Sequence, residues 1–500
     1  MKHITRLFLV ALAAVVAAAP VLGMPLQTAA AQPASQAPDL ATRLAAIEKA
    51  IDAKRIELGI PGASLVIVKD DKVVFQKGFG LRDVDRKLPV TTDTLFAIGS
   101  STKAFTAMSV VMAADDGKLS LDDSPSKYLP YFTMADPDAA QKITIRDLLC
   151  HRSGLNRTDL AWVSGQLNRE EIIRVAGKAK PTAKLGEKFQ YQNVMFIAAG
   201  EIAAKVEGTS YEELIARRIF KPLGMTSSTL FVKEMQSRPD HSLGYEYNFS
   251  TKTTRELPTR VLQAVAPAGA INSNAKDMAQ WLRVMLGGGV FDGKRLVSEA
   301  GYTQLISKQM EVTPTVGYGL GWFLRTWNGH KIVEHGGNID GFNAAVAMMP
   351  DEHVGFVLLT NVTASSIGEF AMATVWKNLV GTPDPAAAGD VAGVGGETVD
   401  PQLEAGTYLF REAGLEMSIT FSEGKLTMTV PGQPPYPLER VSGRRYKRGL
   451  PAPEGFFATF RPIKDKPGET EIYLEQPQGN YVLPRKGGEQ AAAPKGEIFD

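Results

Sequence analysis

The sequence predicts a mixed α/β (α+β) protein whose chain ends in a small all-β domain, and two observations lead to this fold class. Between residues 40 and 380, stretches with apolar residues at helical spacing are mixed with short stranded stretches. Residues 401–486 instead show short runs of alternating apolar and polar residues between Pro and Gly turns, which is typical of a small barrel or sandwich.

Residues 381–400 separate these two patterns. They contain no aromatic residue and consist mainly of Gly, Ala, Pro and Asp, so they cannot bury enough apolar surface to hold a fixed shape. We therefore expect a first domain at 37–380, a flexible linker at 381–400, a β domain at 401–486 and a disordered tail at 487–500.

The first domain begins with a predicted helix over residues 37–58, which Gly59 ends. Its apolar residues at helical spacing are Leu40, Leu44, Ile47 and Ile51. Two strands then follow at 64–68 and 72–75, and the Asp70-Asp71 pair between them predicts a hairpin.

The remaining elements follow in the same way. A strand at 355–360 and a helix at 367–380 end the first domain. In the β domain, alternating residues at 417–421 and 426–430 surround Glu423-Gly424, which predicts a second hairpin. Further short stranded runs follow at 456–460, 472–474 and 481–483.

Residues 1–31 have the pattern of a secretory signal peptide. Lys2 and Arg6 precede an apolar run at 7–22, and Ala29-Ala30-Ala31 offers a small-residue cleavage site. The alternative is a membrane anchor, but the run is shorter than the about 20 residues that span a bilayer. We expect a periplasmic or secreted protein with no integral membrane segment after cleavage.

Composition excludes several classes of function. The 55 Lys and Arg residues balance 54 Asp and Glu residues, so no basic excess points to a nucleic-acid partner. A single cysteine excludes an intrachain disulfide and cysteine-based metal clusters, and the six histidines are scattered. The composition therefore gives no sign of a nucleic-acid partner or of a cysteine-based metal site, and the oligomeric state is unknown.

A Ser-x-x-Lys motif, Ser100 to Lys103, begins a predicted helix. This spacing places the hydroxyl and the ammonium group one helical turn apart on the same face. Serine is a poor nucleophile unless a neighbouring base takes its proton. A lysine can do so if burial or nearby positive charge lowers its pKa.

The same spacing occurs four times, so the motif alone is weak. The other copies begin at Ser124, Ser273 and Ser422. Ser124 is followed by a proline, and Ser422 falls in a hairpin turn. Ser273 precedes a helix-like run, and its alternative interpretation is an N-cap with Lys276 on a solvated face.

Two further motifs follow Ser100. Tyr191-Gln192-Asn193 is the only Tyr-x-Asn of the chain, and His335-Gly336-Gly337 is the only His-Gly-Gly. With these motifs in this order, residues 40–380 resemble the serine β-lactamase and penicillin-binding-protein-like superfamily, in particular the class C β-lactamase-like hydrolases that include esterases and D-amino-acid peptidases. The resemblance implies an antiparallel sheet flanked by helices, an all-helical subdomain and a C-terminal lipocalin-like β-domain.

The resemblance also implies catalytic roles. Ser100 would be the acylated nucleophile, with Lys103 and Tyr191 sharing its proton as a coupled pair. Tyr191 would relay the proton to the leaving group and later activate water. Asn193 would hydrogen-bond Lys103 and the substrate.

The third motif would bind the acyl chain along an edge strand, with Gly336 and Gly337 giving it room. The oxyanion hole would consist of the backbone N–H groups of Ser100 and Asn338. β-Lactamases usually carry Lys-Thr-Gly at this motif, whereas His335 is mostly neutral at pH 7 and offers a substrate carboxylate a weaker, pH-dependent partner.

This difference argues against an optimised β-lactamase and favours an esterase or a peptidase of short or D-amino-acid-containing peptides. The lipocalin-like C-terminal domain resembles that of peptidases in the superfamily, so we expect a peptidase. The resemblance thus implies a small-molecule or short-peptide substrate, no metal and no organic cofactor. The alternatives on the same site are a carboxylesterase and a weak β-lactamase. An alternative of another class is a non-catalytic cell-wall or peptide-binding protein, which is disfavoured because all three motifs are complete.

Other residues near the motifs have simpler interpretations. His151 is expected to be a hydrogen-bonded loop histidine, and Cys150 a buried small residue without reactivity. Trp322, Trp327 and Phe342 either line the acyl pocket or pack in the core, and the sequence leaves both possibilities open.

Overall fold

The computed structural model describes ten stretches of the chain, which are residues 39–163, 165–248, 251–313, 315–381, 400–410, 415–430, 435–449, 456–463, 469–476 and 479–486. The expected signal peptide at 1–31, nearly all of the expected linker at 381–400 and the tail at 487–500 lie outside these stretches.

The first domain contains all of the α-helices found in the described stretches. They are α1 (Leu40–Glu57), α2 (Thr102–Asp115), α3 (Pro137–Lys142), α4 (Ile145–Leu149), α5 (Leu160–Val163), α6 (Arg169–Gly177), α7 (Asn193–Glu207), α8 (Tyr211–Ile215), α9 (Lys221–Leu223), α10 (Val232–Ser237), α11 (Ala266–Gly269), α12 (Ala275–Leu286), α13 (Glu299–Ile306) and α14 (Ile367–Leu379). None of them combines the length and apolar character that crossing a bilayer requires.

The strands of the first domain are β1 (Gly62–Lys69), β2 (Lys72–Asp83), β3 (Leu88–Pro89), β4 (Phe96–Ala97), β5 (Gly244–Asn248), β6 (Thr253–Leu257), β7 (Asn272–Ser273), β8 (Val290–Phe291), β9 (Lys294–Arg295), β10 (Met310–Thr313), β11 (Val316–Tyr318), β12 (Phe323–Trp327), β13 (His330–Ile339), β14 (Phe342–Met349) and β15 (Val354–Thr360). Nine of them form one antiparallel sheet in the order β10-β11-β12-β13-β14-β15-β1-β2-β3. The predicted first hairpin is confirmed as β1–β2, and Asp70 and Asp71 both have positive φ, as a type I′ turn requires.

Helices cover both faces of this sheet, because its central strands are apolar on both sides. Helices α1 and α14 pack on one face, where Ile51, Phe356 and Trp376 are fully buried. Helix α12 covers the other face. Between β4 and β7 the described chain contains α2 to α11, and its only strands are β5 and β6.

Helix α2 lies in the hydrophobic core on the α12 side of the sheet, and nearly all of its residues are buried. The ring of Phe105 in α2 stacks on the ring of Trp281 in α12, with ring centroids 3.7 Å apart. Helix α2 also packs against α7. Small and apolar side chains allow this close packing. The N-terminus of α2 is therefore a rigid platform for the residues that begin it.

The last domain is a sheet of eight strands that follow one another in chain order. They are β16 (Gly406–Phe410), β17 (Leu415–Ser422), β18 (Lys425–Thr429), β19 (Tyr436–Ser442), β20 (Arg445–Arg448), β21 (Phe457–Pro462), β22 (Thr470–Gln476) and β23 (Gly479–Pro484). A bridge between Tyr408 and Arg485 brings the first strand to the end of the last, so the sheet nearly closes.

The fold class is confirmed in both parts. The predicted second hairpin is β17–β18, with Glu423 and Gly424 at positive φ in its turn. Apolar side chains such as Tyr408, Met428 and Ile472 fill the interior of the eight-stranded sheet. The mixed α/β part and the all-β part thus each have their own core.

Candidate active site

Ser100 and Lys103 meet where a short 3-10 turn, Gly99–Ser101, leads into α2. Lys103 Nζ lies 3.1 Å from Ser100 Oγ and donates a second hydrogen bond of 2.9 Å to the carbonyl oxygen of Ala268. Lys103 is fully buried, whereas Ser100 keeps part of its surface accessible. A substrate can therefore reach the hydroxyl while the amine stays enclosed.

The environment of Lys103 makes it a candidate base. Burial lowers the pKa of its amine well below the ordinary 10.5, and the positive charge of Arg157 lowers it further, while Asp159 acts in the opposite direction. A lysine that loses its proton this easily can accept one from Ser100.

Tyr191 completes the group around the Ser100 hydroxyl. Its phenol lies close enough to the Ser100 side chain for Ser100 to lower the phenol pKa, and Lys103 Nζ lies 4.8 Å from its ring centroid. Burial raises the pKa of the phenol, so Tyr191 is protonated at neutral pH. The three predicted residues are therefore brought together, with one proton donor and one easily deprotonated amine beside the hydroxyl.

The third motif crosses the turn that carries Ser100. A Cβ atom on Gly337 would lie 1.9 Å from the carbonyl oxygen of Ile98 and 3.1 Å from Ser100 N, so only glycine fits there. Asn338 N lies 3.0 Å from the position that a Cβ of Gly99 would take. The backbone nitrogens of Ser100 and Asn338 therefore both lie close to the crossing of Gly99 and Gly337, where the expected oxyanion hole would need them.

The expectation that this motif lies on an edge strand is wrong. Strand β13 lies inside the sheet, between β12 and β14. Its pairing with β12 nevertheless ends at Glu334, whereas His335, Gly336 and Gly337 pair only with β14. The other side of the motif faces the Ser100 turn, which takes the place of a strand, and Ser101 Oγ donates to the carbonyl oxygen of His335 at 3.0 Å.

His335 does not face a substrate as expected. Only 2% of its surface is exposed, its Nδ1 lies 2.6 Å from the carbonyl oxygen of Gly336 and its Nε2 lies 3.1 Å from the Tyr318 hydroxyl. Burial and the charge of Lys103 lower its pKa to about 3. The ring is therefore neutral at pH 7, and both of its nitrogens already have partners inside the protein.

Asn193 also has a different partner from the one expected. Its Nδ2 donates to Asp159 Oδ1 at 3.0 Å, whereas the hydrogen bonds of Lys103 go to Ser100 and Ala268. Asp159 in turn pairs with Arg157, with Nη2 and Oδ2 2.6 Å apart. The sequence motifs did not point to this carboxylate.

The Ser-x-x-Lys copy at Ser273 has a structural role. Ser273 is buried in β7, and the N-cap of α12 is Asn274 rather than Ser273. Lys276 is exposed and pairs with Asp93, which agrees with the alternative interpretation that Lys276 lies on a solvated helix face. His353-Val354-Gly355 repeats the His-x-Gly spacing, and it lies at the turn before β15.

The remaining residues of interest are mostly packed in the core. Trp322 and Phe342 are fully buried, which favours core packing over a pocket lining. Trp327 is half-buried, and its Nε1 donates to the carbonyl oxygen of Gly381. Cys150 is buried as predicted, and burial raises the pKa of its thiol to about 12.

Comparisons with known proteins agree with this geometry. Residues 45–375 match the Beta-lactamase family. Protein flp of Staphylococcus aureus (strain COL) is 30% identical over 311 residues, which cover 62% of this chain and 61% of that protein. The unguisins hydrolase of Aspergillus campestris is 31% identical over 341 residues, with 64% and 62% covered.

Among solved structures, the octameric penicillin-binding protein homologue from Pyrococcus abyssi is similar with a TM-score of 0.64 and 25% identity. The likeness covers 88% of this chain and 100% of that one. The matched region spans about three fifths of the curated relatives' own length, 61% for protein flp. With the family match over residues 45–375 and the three motifs assembled around Ser100, the chain belongs to the Beta-lactamase family of the serine β-lactamase and penicillin-binding-protein-like superfamily.

Proposed function

We propose that this protein is an exported serine hydrolase that cleaves an amide or ester bond through an acyl-enzyme on Ser100. The observation that carries the proposal is the 3.1 Å contact between Ser100 Oγ and Lys103 Nζ, an amine whose pKa burial lowers well below its ordinary value. A buried amine with no catalytic task would be an unfavourable core residue, because burial penalises its charge.

In the acylation step, Ser100 gives its proton to the Lys103–Tyr191 pair while Oγ attacks the carbonyl carbon. The N–H groups of Ser100 and Asn338 donate hydrogen bonds to the oxygen that becomes negative. The pair then gives a proton to the leaving amine or alcohol as its bond to the carbonyl carbon breaks. The acyl group remains as an ester on Ser100.

Deacylation uses the same groups in reverse. The Lys103–Tyr191 pair takes a proton from water as the water oxygen attacks the ester carbon. The bond to Ser100 Oγ breaks, Oγ regains a proton and the carboxylic acid leaves. No external reactant other than water is required.

The proposed substrates are short peptides, including peptides with D-amino acids, and small esters are the second choice. Support comes from His335, which is buried and neutral and so supplies no cation for the carboxylate of a β-lactam. Hydrolysis itself is supported by the name of one similar protein, a hydrolase of unguisins. A panel of p-nitrophenyl esters, D- and L-peptides and a chromogenic cephalosporin tests the proposed substrate class, and fastest turnover of the cephalosporin would contradict it.

Labelling with a fluorophosphonate probe tests the nucleophile. We expect Ser100→Ala to lose labelling and Ser124→Ala, which removes the serine of an exposed Ser-x-x-Lys copy, to keep it. Persistent labelling of Ser100→Ala at wild-type intensity would contradict the assignment.

Export has its own test. N-terminal sequencing of the protein from the periplasm or the medium is expected to give a chain that begins at Gln32. Recovery of the full-length chain only from the cytoplasm would contradict export.

A further inference from the structure

His151 lies directly against the ring of Tyr191. Their ring centroids are 4.2 Å apart with 31° between the planes, and His151 is fully buried. The rings of Phe196 and Tyr318 approach His151 to 5.0 Å and enclose it further. One side of the Tyr191 ring is therefore fixed by His151.

Two hydrogen bonds also tie the chain on both sides of Tyr191 to His151. The N–H of Gln190 donates to the carbonyl oxygen of His151 at 2.7 Å, and the N–H of Gln192 donates to His151 Nδ1 at 3.0 Å. Tyr191 lies in an irregular segment just before α7, where no helix or strand ladder holds its backbone. Its position therefore depends on contacts of this kind.

The hydrogen bond accepted by Nδ1 explains why residue 151 is a histidine. Because Nδ1 accepts a hydrogen bond, the proton of the neutral ring is on Nε2. Among the described residues Nε2 has no hydrogen-bond partner, and burying an unpaired N–H group costs free energy. If residue 151 only filled space, an apolar side chain would be more favourable there. An apolar side chain, however, could not accept the hydrogen bond from Gln192 N.

The backbone and the charges around His151 agree with this role. Its φ of +59° is a conformation in which His, Asn and Asp are over-represented. Burial, and after it the electrostatic interactions with Lys103, His335 and Arg157, keep the pKa of its ring well below 6.5. Nδ1 therefore stays unprotonated and able to accept.

We propose that His151 is a positioning residue that holds the Tyr191 phenol over Ser100, by accepting a hydrogen bond from Gln192 N and by packing against the Tyr191 ring. The inference rests on the proposed function, since it concerns the residue that shares the Ser100 proton.

Matched substitutions at His151 test this. Asn tolerates the same backbone conformation and presents an oxygen near the place of Nδ1, whereas Gln carries the same amide one methylene too far and Leu has no acceptor. We expect His151→Asn to recover most of the wild-type kcat on p-nitrophenyl acetate. His151→Gln and His151→Leu are expected to lower kcat on the order of 100-fold with KM within about twofold, as for a misplaced catalytic group. Cys150→Ala, a neighbouring buried substitution outside the site, is the control and should keep kcat.

Several outcomes would overturn the proposal. They are a wild-type kcat in His151→Leu, equal losses in folded His151→Asn and His151→Leu, or a loss of the same size in Cys150→Ala. Circular dichroism and thermal unfolding identify any variant that does not fold, and if His151→Leu is one of these, the Asn and Gln pair decides. Fluorophosphonate labelling of the wild-type protein at Ser100 is read separately, so failure of the proposed function is distinguished from failure of this inference.

Discussion

Gly337 crosses Ile98 so closely that a Cβ atom on Gly337 would lie 1.9 Å from the Ile98 carbonyl oxygen. This crossing joins β13 to the turn that carries Ser100, and both Asn338 N and Ser100 N lie close to it. The position of the proposed oxyanion hole therefore depends on the lack of a side chain at Gly337.

The crossing predicts a strong effect of Gly337→Ala. The added methyl group must push β13 away from the Ser100 turn, and overpacking of this kind costs about 1–3 kcal/mol of unfolding free energy. Hydrolysis should fall at least about 100-fold, the size of the loss of one oxyanion donor. Thermal unfolding and kcat measure the two effects.

Gly336→Ala is the matched control for stability. The nearest atom to its new methyl group would be the Ala344 carbonyl oxygen at 3.4 Å, which is close to ordinary contact. We expect its Tm to stay near the wild-type value. Equal Tm losses in both variants would show that the crossing at Gly337 is not tight.

Lys103→Met should remove activity and increase stability. The unfolded state binds a proton on Lys103 below pH 10.5, whereas the folded state gives it up at a much lower pH because its pKa is lowered. The wild-type free energy of unfolding therefore rises with pH between the two pKa values, and the burial of Lys103 destabilises the fold at neutral pH.

Methionine keeps the length of the side chain without the amine. We expect Lys103→Met to be more stable than the wild type at pH 7, with a smaller advantage at pH 10, and kcat to fall about 10²- to 10⁴-fold. Denaturant unfolding at the two pH values measures this. A variant less stable than the wild type at pH 7 would show that the ammonium group contributes favourably to folding.

Much of the local structure was predictable because its signals are local. The Asp70-Asp71 and Glu423-Gly424 turns combine residues that accept positive φ with flanking apolar runs, and both form hairpins as predicted. The order of the large sheet was not predictable in this way. Strand β1 pairs with β15, nearly 300 residues later, and no local pattern encodes that pairing.

The candidate site was likewise predictable only where its residues form sequence motifs. The sequence identified Ser100, Lys103 and Tyr191 as a set because side-chain motifs are visible in it. It could not identify the partner of Lys103 at Ala268, since a backbone carbonyl has no sequence signature. The inward orientation of His335 depends on Tyr318, which only the folded sheet brings to 3.1 Å.

Lys103 and Tyr191 should behave as one unit in kinetics. In the proposed mechanism both groups lie beside the Ser100 hydroxyl and share its proton, so the effects of removing them should not add. Tyr191→Phe is expected to lower kcat about 10²- to 10⁴-fold, and the double variant with Lys103→Met to be little worse than the slower single variant. A double-mutant cycle on an activated ester measures the coupling. Additive losses would mean that the two groups act in separate steps.

Arg157 and Asp159 should shift the pH dependence in opposite directions. The proposed mechanism requires Lys103 without its proton, so the acid limb of kcat/KM should follow the Lys103 pKa. Arg157 lowers this pKa and Asp159 raises it. Arg157→Gln should therefore move the acid limb to higher pH, and Asp159→Asn should move it to lower pH.

The shifts should be small and sensitive to salt. The Arg157 side chain is 53% exposed, so solvent and ions screen its charge, and we expect a shift below about one pH unit that shrinks further at 1 M NaCl. Asp159→Asn keeps an acceptor for Asn193 Nδ2, so its effect reports the charge rather than the lost contact. A pH profile of kcat/KM at two salt concentrations decides the matter: shifts of the same sign in both variants would show that the acid limb does not report the electrostatic environment of Lys103.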